Sequence, residues 1–136
     1  MPLLVDTSVW SLALRRNKPD PSAEVDRLRA ALNEGTAVAT TGVVVLELLF
    51  GVASDQTAQR IADSLRAVPM IVPTFDDCVE AARTRTRLRE KGVQLGPIDA
   101  LIAQLCITYG HTLLTTDQDF HHAARHVPLR IWGGTG

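Results

Sequence analysis

Aromatic residues are scarce in this chain of 136 residues, with two Trp, one Tyr and three Phe making up 4%. That leaves little for stacking bases and argues against a nucleic-acid binder built on aromatic platforms. Cysteine is scarcer still. Cys78 and Cys106 show no CxxC or other ligand spacing, which excludes a disulfide framework, and both read as reduced thiols of the core. Neither sign of charge dominates. Fourteen Lys and Arg face fifteen Asp and Glu for a net charge of -1, so binding to nucleic acid by bulk charge is disfavoured, although local patches remain open. No apolar run approaches the roughly 18 to 20 residues that span a bilayer, and Met1-Pro2-Leu3-Leu4-Val5 meets Asp6 before a signal-peptide core could form, so the expectation is a cytoplasmic protein without membrane contact.

What remains is 46% hydrophobic and 21% charged, a composition suited to one globular domain over residues 1–136 that needs no staple. A chain of this length buries roughly two-thirds of its unfolded surface. Short runs rich in Leu, Val and Ile alternate with longer helical stretches, as in a parallel sheet covered by helices on both faces. Strands are expected near 2–5, 36–39, 69–72, 112–115 and 129–131, with helices over 7–15, 22–34, 41–51, 55–67, 75–91, 97–109 and about 118–125. The fold class is therefore α/β, a three-layer sandwich around a mainly parallel five-stranded sheet. Ser22 suits an N-cap, Thr74-Phe75-Asp76-Asp77 places acid in a first turn, and Gly51, Gly92 and Gly110 fall where helices end.

Acids occupy revealing places in this pattern. Asp6 directly follows the first strand, where parallel sheets bind ligands, though it equally suits an N-cap before Thr7-Ser8-Val9-Trp10. Glu47 lies inside Val43-Val44-Val45-Leu46-Glu47-Leu48-Leu49-Phe50, and helical geometry projects it between Val43 and Val44 rather than onto a polar face. An acid there is costly unless paired or bound to a cation. In the helix at 97–109, Ile98, Leu101, Ile102, Leu105 and Tyr109 form the apolar stripe, which leaves Asp99 off the core face in the first turn behind Pro97. Asp117 and Asp119 share one strand-to-helix turn. A parallel topology can bring Asp6, Glu47, Asp99 and Asp117 to one sheet edge, with Asp119 close behind. Crowded carboxylates retain protons unless a hard cation such as Mg²⁺ or Mn²⁺ compensates them, and the absence of His and nearby Cys from these segments argues against zinc. No Ser-His-Asp or Cys-His set and no GxxxxGK(S/T) phosphate loop is evident, so hydrolysis by cation-activated water is the economical chemistry.

Leu3-Leu4-Val5-Asp6-Thr7-Ser8-Val9, the mid-helix Glu47, Pro97-Ile98-Asp99-Ala100-Leu101-Ile102-Ala103 and Leu113-Leu114-Thr115-Thr116-Asp117-Gln118-Asp119-Phe120 together resemble PIN-domain ribonucleases, specifically VapC-type toxins of toxin-antitoxin pairs. The resemblance runs from Leu3 to near Ile131. It implies that Asp6, Glu47, Asp99 and Asp117 form an acidic quartet holding Mg²⁺ or Mn²⁺, with Asp119 as an accessory acid; the hydroxyls of Thr7 and Ser8 suit orienting the site and capping the helix equally well. It further implies an endoribonuclease held in check by a cognate antitoxin.

Arg15, Arg16 and Lys18 follow the first helix and are candidates for RNA phosphates. Arg83, Arg85, Arg87, Arg89 and Lys91 lie on opposing helix faces, suited to solvent, a partner protein or RNA backbone. His122 and His126 have helical spacing but lack the acid of an HExxH site, and His111 and His121 carry no assignable role. Leu46, Leu48, Leu49, Phe50, Val52, Ile61 and Leu65 offer more apolar surface than one sheet face covers, which points to a homodimer. Among competitors, a haloacid-dehalogenase phosphatase needs a second Asp where Ser8 stands. A response-regulator receiver needs a late lysine, and the chain has only Lys18 and Lys91. An RNase H-like nuclease needs opening antiparallel strands, and a catalytically weak PIN module would lack a quartet acid.

Overall fold

A computed structural model describes residues 1–15 and 22–134. In chain order it contains β1 (Leu3–Val5), α1 (Thr7–Leu14), α2 (Ala23–Glu34), β2 (Val38–Thr41), α3 (Gly42–Leu49), α4 (Asp55–Leu65), β3 (Met70–Ile71), α5 (Phe75–Glu90), α6 (Pro97–Tyr109), β4 (Thr112–Leu114) and α7 (Gln118–Ala123). The strands form one sheet in the order β3-β2-β1-β4, and every pairing is parallel. Leu3 lies opposite both Val38 and Thr112. Parallel pairing from the first strand removes the RNase H-like alternative.

All three residues of β1 and of β4 are buried. Successive strand side chains point to opposite faces, so both faces of the sheet are covered. The core joins these residues to Val9, Trp10, Leu28, Val44, Leu48, Ile61, Ile102, Leu105 and Phe120. Ser22 accepts the Val25 N–H at the start of α2, and Thr74 with Asp77 closes a capping box on α5, as their sequence positions suggested. Gly51, Gly92 and Gly110 adopt left-handed φ of 81°, 80° and 73°, which glycine reaches without a Cβ penalty. Among the described residues no helix is long and apolar enough to cross a membrane.

Three expectations are corrected. The fifth strand at 129–131 contracts to a single parallel bridge between Ile131 and Leu113, so among the described residues the sheet has four strands. Pro128 lacks an N–H, and the turn at Gly133 (φ 75°) takes the chain away, so pairing holds only around Leu113. The second strand lies at Val38–Thr41 rather than 36–39. Thr40 and Thr41 are buried, pair with β3, and Thr41 Oγ1 donates to the Ile71 carbonyl at 2.8 Å. Cys78 is exposed, whereas Cys106 is buried. On α5 the buried stripe is Asp77, Ala81, Thr84 and Leu88, and Cys78 falls beside it. Two of those positions are polar and locally satisfied: Tyr109 Oη donates to Asp77 at 2.7 Å, and Thr84 donates to Gln104. Hydrogen bonding permits their burial.

Candidate active site

The carboxyl ends of β1 and β4 lie side by side, and the chain leaves each through an acid-bearing turn. Asp6 ends β1 and caps α1, accepting the Ser8 N–H on Oδ1 at 3.0 Å. Its Oδ2 accepts the hydroxyls of Ser8, at 3.0 Å, and of Thr115. Those hydroxyls in turn accept backbone N–H groups from the turn after β4: Thr116 N–H donates to Ser8 Oγ and Asp117 N–H to Thr115 Oγ1, both at 3.0 Å. Two short relays thus converge on one carboxylate oxygen. Asp117 caps α7 through the Asp119 N–H at 2.9 Å. Asp6 is thus both an N-cap and one of the acids acting on Asp99, roles the sequence offered as alternatives, and Asp117 likewise combines the two.

Glu47 reaches the site from α3, held by a 2.8 Å hydrogen bond from Thr7 Oγ1. Asp99 sits half-buried in the first turn of α6. Its carboxyl is pushed up to about 6, first by burial, then by the negative charges of Asp6, Asp117, Glu47 and Asp119 in that order. All five acids therefore act on one locale. The buried Cys106 thiol is pushed up by desolvation and by Asp6, which leaves it an unreactive thiol.

Thr115 was not singled out from sequence as an orienting residue, although its place immediately before Thr116-Asp117 was visible. The structure gives Asp6 a hydroxyl donor from it. Arg15 is exposed at the C-cap of α1, a helix length of about 12 Å from the acidic edge, so it is not brought to the acids. Arg16 and Lys18 lie outside the described residues. On α5, Arg83 pairs with Glu80 at 2.6 Å, while Arg85 Nε donates to the Leu95 carbonyl at 2.8 Å and ties down the loop before α6.

The donor chemistry fits a hard divalent cation: oxygen ligands throughout, with excess negative charge concentrated around Asp99. The acids stand within electrostatic reach of one another rather than at ligating distance, and among the described residues no three His, Cys, Asp or Glu form a ready group for an ion.

The PIN domain family matches residues 3–126, and the chain belongs to that family. Solved structures with the same fold include VapBC2 from Rickettsia felis bound to a DNA fragment from their promoter, with a TM-score of 0.77, 22% identity and coverage of 96% of this chain and 97% of that one. FitAcB from Neisseria gonorrhoeae aligns with a TM-score of 0.71, 20% identity and 95% of each chain covered. Mycobacterium tuberculosis VapC20, a sarcin-ricin loop cleaving toxin, aligns with a TM-score of 0.69, 22% identity and coverage of 94% and 98%. Comparison by sequence with curated proteins finds no match.

Proposed function

We propose that this PIN domain is a Mg²⁺- or Mn²⁺-dependent endoribonuclease and the toxin of a toxin-antitoxin pair, cutting RNA to leave 5′-phosphate and 3′-hydroxyl ends. The observation that carries the reading is the convergence of Asp6, Glu47, Asp117 and Asp119 on Asp99. Glu47 and Asp99 come from α3 and α6, and the other acids follow β1 and β4. Asp6, Glu47, Asp99 and Asp117 would hold the cation, with Asp119 accessory. When bound, a divalent ion supplies the charge that admits a phosphodiester to a negative pocket and activates water for attack on phosphorus. The chain's own contribution is alignment. Thr7 fixes the Glu47 carboxylate, and Ser8 and Thr115 fix Asp6 against the turn carrying Asp117. Because water rather than the RNA 2′-hydroxyl attacks, cyclic phosphates are not products.

The partners follow the same chemistry. A pocket of carboxylates attracts a cationic side chain, so an antitoxin would insert Arg or Lys at the acids or block the RNA path. The VapBC and FitAB complexes among the structural neighbours are consistent with a protein partner. Of the apolar residues first assigned to a dimer contact, Leu48, Ile61 and Leu65 are buried within the chain, whereas Leu46 and Phe50 are 62% and 80% exposed. These two are the residues we place at a homodimer contact.

The decisive experiment incubates purified protein with bulk cellular RNA with and without EDTA and reads new 5′-phosphate ends by ligation. Cutting that stops in EDTA and returns with Mg²⁺ or Mn²⁺ is expected. Full activity in EDTA, or products ending in 2′,3′-cyclic phosphate, would overturn the mechanism. Co-expression with a neighbouring small open reading frame should restore growth; equal harmlessness of wild type and quartet variants without it would end the toxin reading.

A further inference from the structure

We propose that a second cavity beside Asp119 is an RNA subsite, in which Arg125, His122 and His126 grip a backbone phosphate flanking the scissile bond. The assignment rests on the nuclease reading above. The cavity has a volume of about 400 Å³ and is bounded by Gln94, Asp119, His122, Arg125 and His126, within the range typical of small-ligand sites. It meets the acidic edge at Asp119, one of the acids acting on Asp99, and its lining also includes Gly92, Val93 and Gln94 from the loop that runs into α6. That loop is fixed at both ends: Val93 N–H donates to the Leu88 carbonyl at 2.8 Å, and Arg85 holds Leu95.

Apart from the Asp119 carboxylate, the polar side chains of the wall suit an anion. One guanidinium, two imidazoles and an amide supply donors, and among the described residues the side chains of His122, Arg125 and His126 have no hydrogen-bond or ion-pair partner. Their backbone is nevertheless fixed, because the chain continues past α7 in hydrogen-bonded turns: Ala124 N–H to Phe120, Arg125 N–H to His122 and His126 N–H to Ala123. Phe120 and Ala123, both buried, anchor this corner. A guanidinium beside the imidazoles disfavours a metal ion, and no Phe, Tyr or Trp is among the described residues that line the cavity. A phosphodiester, with one negative charge shared by two oxygens, fits such donors. The position explains the choice of RNA. Because Asp119 belongs both to this cavity and to the acids acting on Asp99, a strand gripped by Arg125 would be held next to carboxylates that alone would repel it.

The test measures kcat and KM for Mg²⁺-dependent cutting of bulk cellular RNA over a range of salt concentrations. It uses full-length wild type, Arg125→Ala, Arg125→Lys, a His122→Ala/His126→Ala double variant, and Arg83→Ala as a control on α5. These side chains are exposed, so the variants should melt as the wild type does. Arg125→Ala and the double variant are expected to raise KM by about tenfold with kcat within about twofold, and Arg125→Ala to reduce the slope of log(kcat/KM) against log salt by about 0.7, the increment for one single-strand phosphate contact. Arg125→Lys should keep the slope. An unchanged KM and slope, a fall in kcat alone, or an equal effect from Arg83→Ala would each overturn the subsite while leaving the nuclease reading intact. Variants that cut normally but lose a copurifying antitoxin would assign the cavity to a protein and overturn the RNA subsite equally. Wild-type protein that cuts no RNA with Mg²⁺ would defeat the nuclease reading and, with it, the subsite.

Discussion

Helix α1 runs between two ends of the molecule with opposite chemistry. At its start, beyond the carboxyl ends of β1 and β4, stand Asp6 and its hydroxyl donors. At its finish, beside the amino ends of β2 and β3, Trp10 and Leu14 join Leu32, Val38 and Val68 around an apolar cavity of about 400 Å³. The first end gathers charges that oppose one another. The second removes apolar surface from water, and there the buried Trp10 Nε1 has no partner among the described residues. Burial stabilises the fold at one end, while the other holds groups whose repulsion costs stability. Damage to activity and damage to stability should therefore be separable along a single helix.

The largest separation is expected from the acids. Asp6→Asn, Glu47→Gln, Asp99→Asn and Asp117→Asn should each lower RNA cutting by about a thousandfold, roughly 4 kcal/mol of barrier, with circular dichroism unchanged. Unfolded variants would break the comparison. At the other end Trp10→Ala should lower stability by about 3 kcal/mol through lost burial, measured by urea unfolding, while kcat of the folded fraction stays near that of the wild type. Thr115→Val should register on both scales, because its hydroxyl serves Asp6 and the Asp117 N–H together. A loss of about 1 to 2 kcal/mol in stability and about tenfold in kcat is expected. If only stability moved, the relay would be structural.

The smallest effect concerns pH. Asp99 has a folded value of about 6 against an ordinary 3.8, so between those values the folded state binds more protons than the unfolded one, and stability falls as pH rises through that window. In EDTA, wild-type Tm should climb as pH drops from neutral toward 4. Asp99→Asn should gain about 1 kcal/mol at neutral pH, after allowing for its partial exposure, and should flatten the profile. A profile equally steep in the variant would show that other groups dominate.

Much of this layout was legible beforehand because parallel strands buried on both faces announce themselves as apolar runs, and helix ends carry their caps. Glu47 stood out for a related reason: it interrupts a run of valines and leucines. Where reading failed, polar residues take buried positions. Thr41, which extends β2, and Asp77 and Thr84, which occupy the stripe expected of Cys78, are satisfied by hydrogen bonds, whereas the buried Thr40 hydroxyl has no partner among the described residues. Such satisfaction depends on partners distant in sequence, Ile71 for Thr41 and Gln104 for Thr84, so local periodicity cannot register it. The edge at Ile131 shrank because only one side of it has a neighbour. Thr115 went unread because its partner Asp6 lies 109 residues away.

That separation bears on synthesis. The strand that leads to Asp6 is made more than a hundred residues before the segment that completes its surroundings. A nascent chain that has not yet emerged beyond Thr112 has β1 paired on one side only, with neither Thr115 nor Asp117 beside Asp6. Sites assembled from such long-range contacts form late. A translating ribosome, itself made of RNA, would therefore carry Asp6 through that whole interval without an assembled acidic edge nearby. Prematurely terminated fragments ending before β4 should likewise be inert, whatever their first hundred residues contain.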